Sequence, residues 1–303
     1  VRRVLCVLAV SMAMLLGSSF AVPAPEAGSA RGPVRAEDAN GAFVPFAYGR
    51  HPRQRLLALW EGNGVRPEPR RGAVVVLHGG YWTADRSPHW NTWSARFAEA
   101  GFAVFDIEYR RNVDARWPGP RDDVRAALGW IRRRAPYFGV NPGRVFLVGS
   151  SAGGHLALNA GLLGAGHARV AGVVGLSAVA EPLRAWHDGA GTAPARERRV
   201  RANARVLAGC DPADCPLVWA DMSAAQHASA GDPPALLLHS RWDFVPATHA
   251  CALARAQRAR GTRAGAVTVV TVPGTRHGGP LLDHPGTFSL ILKWLRARSV
   301  TRA

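Results

Sequence analysis

Seven short runs of mostly unbroken apolar character recur along the chain: Leu56 to Trp60, Ala73 to Leu77, Ala103 to Ile107, Val145 to Val148, Val170 to Gly175, Ala235 to His239 and Val267 to Val272. A strand with one wet face alternates apolar and polar residues, whereas a strand covered on both faces does not. These runs therefore predict a sheet sandwiched between helices. Helical patterns lie between them, at Trp90 to Ala100, Pro120 to Ala135, Ala152 to Leu163 and Thr248 to Ala259. Strand and helix in alternation predict an α/β domain with a mostly parallel central sheet and helices on both faces. Asn141-Pro142-Gly143 predicts a turn ahead of the fourth run. Glu181 to Gly231 breaks the alternation and is expected to form a small lid-like insertion.

The sharpest local signal is Gly149-Ser150-Ser151-Ala152-Gly153, where the fourth run gives way directly to a helical pattern. This is G-x-S-x-G centred on Ser151. Small residues two places either side of a serine permit a strained strand-to-helix turn that lifts its hydroxyl clear of the sheet. The following helix N-terminus favours negative charge at that point. Ser151 is thus the candidate nucleophile, and His155, just beyond, reads as a satisfied histidine packed under the turn.

A serine hydroxyl is a weak nucleophile and needs a base, which in turn needs an acid to orient it. In open α/β sheets reactive groups gather at the C-terminal ends of strands. "ALLLHSRWDFVP" places Asp243 after one such strand and "VTVVTVPGTRHGGP" places His277 after the next, in the order serine, acid, histidine. Asp232 is a rival acid, but it precedes its strand. "VVVLHGGYW" sets paired glycines after an early strand, a pattern suited to turning backbone N–H groups toward a developing oxyanion. The expected donors are Gly80 and Tyr81, completed by Ala152. Trp82 and Trp117, in loops expected at the same sheet edge, are candidates to line an apolar substrate pocket.

Taken together, "YGRHPRQRLLALW" (Tyr48 to Trp60), "HGGYW" (His78 to Trp82), "FDIEYR" (Phe105 to Arg110), "GSSAGGHLAL" (Gly149 to Leu158), "HSRWDFVP" and "TRHGG" resemble the α/β-hydrolase superfamily. Within it the likeness is to hormone-sensitive-lipase-like carboxylesterases and the kynurenine-formamidase-like branch. The resemblance implies the α/β-hydrolase fold, a Ser151, Asp243, His277 triad and cleavage of carboxylic esters or small amides through an acyl-enzyme. Two features depart from it. Tyr81 stands where the lipase-like branch has a third glycine, and a signal peptide stands where formamidases are usually cytoplasmic. An arylformamidase-type amidase is the alternative activity, and a non-catalytic binding protein on the same fold is the remote one.

The N-terminus reads as a secretory signal: Arg2-Arg3, an apolar stretch from Val4 to Leu16, then small residues ending at Ala21. Residues 1–21 are expected to be the signal peptide, 22–40 a leader without periodicity, and 41–303 the catalytic domain, in a secreted or cell-envelope protein. Export implies an oxidising compartment, and Cys210-Asp-Pro-Ala-Asp-Cys215 is the expected disulfide loop. The net charge of +17 would ordinarily suggest nucleic acid. Lys293 is the only lysine, however, and the arginine runs lack interleaved aromatics to stack on bases. A small-molecule ester or amide is expected as substrate, without nucleic acid and without stable membrane insertion. No H-E-x-x-H, C-x-x-C or phosphate-loop pattern occurs, so no cofactor or metal is expected.

Overall fold

In the computed structural model, residues 43–60, 71–163, 169–262 and 265–299 are described. The expected signal peptide and leader lie outside them. Eight strands form one sheet: β1 (Val44–Ala47), β2 (Arg55–Leu59), β3 (Arg71–Leu77), β4 (Ala103–Ile107), β5 (Val140–Ser150), β6 (Gly172–Leu176), β7 (Ala235–Ser240) and β8 (Val267–Val272). Their order is β1-β2-β4-β3-β5-β6-β7-β8. The β1–β2 and β2–β4 pairings at one edge are antiparallel, and the pairings among β4, β3, β5, β6, β7 and β8 are all parallel. This is the α/β-hydrolase fold expected from the sequence.

The unbroken apolar runs have the predicted cause. Along β3, Ala73, Val75 and Leu77 enter one core, while Val74 and Val76 enter the other. Along β5, Val145 and Leu147 face the first and Phe146 and Val148 the second. The first core is closed by α2 (Gly119–Arg133), α3 (Ala152–Leu162) and α7 (Thr248–Ala259). The second is closed by α1 (His89–Glu99) and α8 (Thr287–Ser299). Each fully buried Val or Leu contributes about 1.5–3 kcal/mol of transfer free energy, so a register slip in either central strand would be costly.

One strand has no counterpart among the expected runs, and one local expectation is revised. The edge strand β1, Val44-Pro45-Phe46-Ala47, is too short to stand out among the apolar runs. It pairs with β2 from Val44 opposite Ala58 to Ala47 opposite Arg55, and Val44 and Phe46 pack on the first core. Asn141-Pro142-Gly143 does not precede β5 but interrupts it. The register with β3 jumps from Arg71–Val140 to Ala73–Val145, and Asn141 Oδ1 accepts the Gly143 N–H at 2.9 Å. The stretch from residue 181 to 231 forms the expected insertion, with α4 (Pro182–Asp188), α5 (Ala195–Ala208), α6 (Pro216–Met222) and a 3-10 turn at Ala224–His227. Within it Cys210 and Cys215 are disulfide-bonded. Among the described residues no helix is long and apolar enough to cross a membrane.

Candidate active site

Ser151 sits between the end of β5 and the start of α3 with φ 50° and ψ −114°. A non-glycine residue there is strained by the order of 1–3 kcal/mol and persists only where its surroundings impose it. Here the imposing contacts are visible. A Cβ on Gly149 would run into the Gly153 carbonyl, and one on Gly153 into the carbonyls of Leu77 and His78. Larger residues would push α3 away from the strand ends and open the turn. The Ser151 N–H donates to Leu176 O at 2.8 Å, which anchors the turn to the neighbouring strand. Its hydroxyl makes no hydrogen bond with another described residue and can rotate.

Asp243 and His277, from loops after β7 and β8, meet as the sequence predicts: His277 Nδ1 lies 2.7 Å from Asp243 Oδ1. The Asp243 carboxyl is fully buried, whereas the His277 side chain keeps 19 % of its surface exposed. Burial alone would raise the Asp243 pKa. The bond to His277, the imidazole's charge, the Ser177 hydroxyl and the Val245 N–H outweigh it and hold the carboxyl below the usual value. The loop is itself fastened, because the Val245 N–H donates to Asp243 Oδ1 at 3.0 Å and His239 Nδ1 meets Val245 O at 2.9 Å. His277 is brought over the elbow by its own neighbours. A Cβ on Gly278 would lie 3.9 Å from Ser151 Cβ, and the Gly279 N–H donates to Ser150 Oγ at 3.0 Å. Asp232, the rival acid, is occupied elsewhere, accepting from the Ser229 N–H, the Ser229 hydroxyl and Gln257.

The Gly79-Gly80 loop lies against the elbow, with a Cβ on Gly79 only 3.2 Å from Ser151 Cβ. Gly80 has φ 120°, and Tyr81 and Trp82 follow at φ 57° and 59°. Tyr81 thus adopts, at a cost, the left-handed backbone that a third glycine would take freely. The N–H groups of Gly80, Tyr81 and Ala152 have no acceptor among the described residues. The "FDIEYR" stretch explains how the loop is held. Tyr109 OH donates to His78 O at 2.7 Å, Glu108 pairs with His78 Nε2 at 3.1 Å, and the two rings stack at 4.5 Å.

The tryptophan assignments are corrected. Trp82 is 1 % exposed and donates from Nε1 to His155 Nδ1 at 3.1 Å. His155 passes its own N–H from Nε2 to Met222 O at 2.8 Å, which ties the elbow helix to the insertion. Burial lowers the His155 pKa to about 4, so it is the neutral, satisfied histidine the sequence suggests. Trp117 is also turned inward, donating to Asp221 Oδ2 at 2.6 Å beneath the Arg121 guanidinium. Both indoles are drawn in because their N–H groups find buried or half-buried acceptors. The aromatic surface at the site is instead Phe244, whose ring centroid is 4.0 Å from that of His277, with Tyr81 stacked beyond it at 6.3 Å.

Sequence reasoning missed Ser177. It follows β6 at φ 50°, donates to Asp243 Oδ2 and accepts the Gly278 N–H at 2.9 Å. One hydroxyl therefore fixes both the acid and the histidine loop. Its only signal in sequence is a serine directly after an apolar strand. Among the described residues no group of three or more His, Cys, Asp or Glu could hold a metal ion.

The family model BD-FAE matches residues 66–256. The chain belongs to the BD-FAE family. It is 29% identical over 248 residues to esterase LipC of Mycobacterium tuberculosis, which covers 78% of this chain and 59% of that protein. The chain thus spans little more than half the length of this curated relative. Esterase B of Lactobacillus rhamnosis superposes with a TM-score of 0.69 at 21% identity, covering 86% of each chain. Est2 of Thermogutta terrifontis, solved with propionate bound, superposes with a TM-score of 0.65 at 23% identity, covering 89% of this chain and 99% of that one. These likenesses agree on the fold, and the site's chemistry rests on its own geometry.

Proposed function

We propose that the protein is a serine-dependent carboxylic ester hydrolase. Ser151 attacks the ester carbonyl, and His277 takes its proton and returns it to the departing alcohol. Asp243 holds the imidazole in the tautomer whose Nε2 can accept that proton. The N–H groups of Gly80, Tyr81 and Ala152 would receive the oxyanion, and water attacks the acyl-enzyme in the second half-reaction. The observation that carries the reading is the buried Asp243 carboxylate 2.7 Å from His277 Nδ1, beside a serine held at φ 50°. The esterase names of LipC and esterase B, and the propionate in Est2, support short carboxylic esters as the substrate class.

The stacked Tyr81 and Phe244 rings favour an aryl group beside the scissile bond, which makes an arylformamidase-type amidase the second reading. The assay is hydrolysis of 4-nitrophenyl acetate through octanoate, aryl acetates and N-formylkynurenine by wild type and Ser151→Ala. Turnover of short esters lost in the variant is expected. Turnover that survives Ser151→Ala, or that is confined to the formamide, overturns the ester reading. The proposal includes export, supported by the N-terminal signal pattern and by the Cys210–Cys215 bond.

A further inference from the structure

The helix α5 carries arginines at positions 196, 198, 199, 201 and 205. Three are engaged: Arg198 donates to Ala193 O, Arg201 donates to Trp186 O over the Trp186 ring, and Arg205 pairs with Asp211. Arg196 and Arg199, one turn apart on the exposed face, make neither an ion pair nor a side-chain hydrogen bond among the described residues. They are also the two that reach the site. The Arg199 guanidinium lies 4.3 Å from the Tyr81 ring centroid and that of Arg196 lies 5.6 Å from Phe244. A guanidinium lying over a ring uses its flat face, which leaves the N–H edge to solvent or ligand. Arg241 and Arg276, exposed on the loops that carry Asp243 and His277, add positive charge.

None of the carboxylates nearby pairs with Arg196 or Arg199 among the described residues. Asp188 is committed to Arg184 and His249, and Asp243 to His277. Glu197, with a buried Oε2 and no ion pair among the described residues, lines a small cavity with Asp188, Phe244 and His249. The Phe244 and Tyr81 rings are thus each capped by a guanidinium that makes no ion pair among the described residues.

Resting on the ester-hydrolase reading, we propose that Arg196 and Arg199 select substrates carrying an anionic group, such as a carboxylate, close to the scissile ester. Aromatic caps position the two cations, the cations attract the charge, and the neutral part of the ester lies along Phe244. Such esters include half-esters of dicarboxylic acids and acyl esters of hydroxy acids.

The test compares two pairs by pH-stat: 4-acetoxybenzoate against phenyl acetate, and monomethyl adipate against dimethyl adipate. The readout is the charged-to-neutral ratio of kcat/KM, in wild type and in Arg196→Gln/Arg199→Gln, at low and high salt. In at least one pair the ratio should fall about tenfold in the double variant and decline with salt in wild type. The pair that responds says whether the charge sits on the alcohol or the acyl side. Ratios that match between wild type and variant in both pairs overturn the proposal. A folded wild type that hydrolyses none of the four esters removes the ester-hydrolase reading instead. Both arginines are exposed, so circular dichroism and the melting midpoint should be preserved.

Discussion

Lowering the pH from neutral should destabilise this protein through two histidines buried beside the site. His155, under the elbow, and His239, behind the Asp243 loop, are fully enclosed, and burial lowers each from an ordinary 6.5 to about 4. A histidine whose folded value lies below its unfolded value holds fewer protons when folded. Its stability contribution is therefore complete above the unfolded value and is lost as pH falls toward the folded one. The linkage relation gives a loss of about 2 kcal/mol per histidine at pH 5 and about 3 kcal/mol at pH 4, relative to neutral pH. Together they remove about 4 kcal/mol by pH 5, a large share of the roughly 5–15 kcal/mol that holds a domain folded. His249, lowered chiefly by burial, acts in the same direction, while Glu181, raised by burial, opposes it. The assay is urea unfolding followed by tryptophan fluorescence at about pH 7, 6 and 5. His155→Gln removes one titrating group, so its pH-dependent loss should be close to half that of wild type, whatever its absolute stability. A wild type that loses less than about 1 kcal/mol by pH 5, or a variant that loses as much as wild type, would refute the reasoning.

Other predictions follow from the hydrogen bonds around the elbow. Ser151→Ala should lower kcat by roughly 10⁴- to 10⁶-fold with the fold intact, whereas Ser150→Ala, which only frees the Gly279 N–H, should cost about tenfold; the reverse order would mean that Ser150 is the nucleophile. Asp243→Asn should lower kcat by about 10⁴-fold by presenting the wrong tautomer, while Asp232→Asn should retain activity and lose stability in a melting assay. Ser177→Ala leaves Asp243 Oδ2 and the Gly278 N–H without their shared partner, and kcat should drop about 10- to 100-fold with KM little altered; an unchanged kcat would show that neither loop needs this hydroxyl. Reducing the Cys210–Cys215 bond should lower unfolding free energy by about 2 kcal/mol, measured by urea denaturation with and without dithiothreitol.

What the sequence determined on its own is what short-range physics governs. The strand runs were legible because apolarity on both faces of a strand has one economical explanation, a covered sheet. The elbow was legible because its small residues are spaced within four positions of one another, even though Gly153 answers to the distant carbonyls of Leu77 and His78. The order of serine, acid and histidine was legible because the chain visits the sheet's C-terminal edge repeatedly, and both loops directly follow strong strands. Tertiary structure decided whatever depended on partners far apart in sequence. Trp82 faces inward because His155, 73 positions away, accepts its N–H. Ser177 matters because it meets Asp243 66 positions later. β1, only four residues long, is a strand because β2 offers it a ladder and because Trp60, Trp130 and Phe138 receive Phe46. Arg196 and Arg199 are set apart on α5 by the rings of Phe244 and Tyr81, which other parts of the chain bring beneath them. Distant contacts of this kind leave no periodic trace in the chain, since each takes its meaning from a partner that only folding supplies.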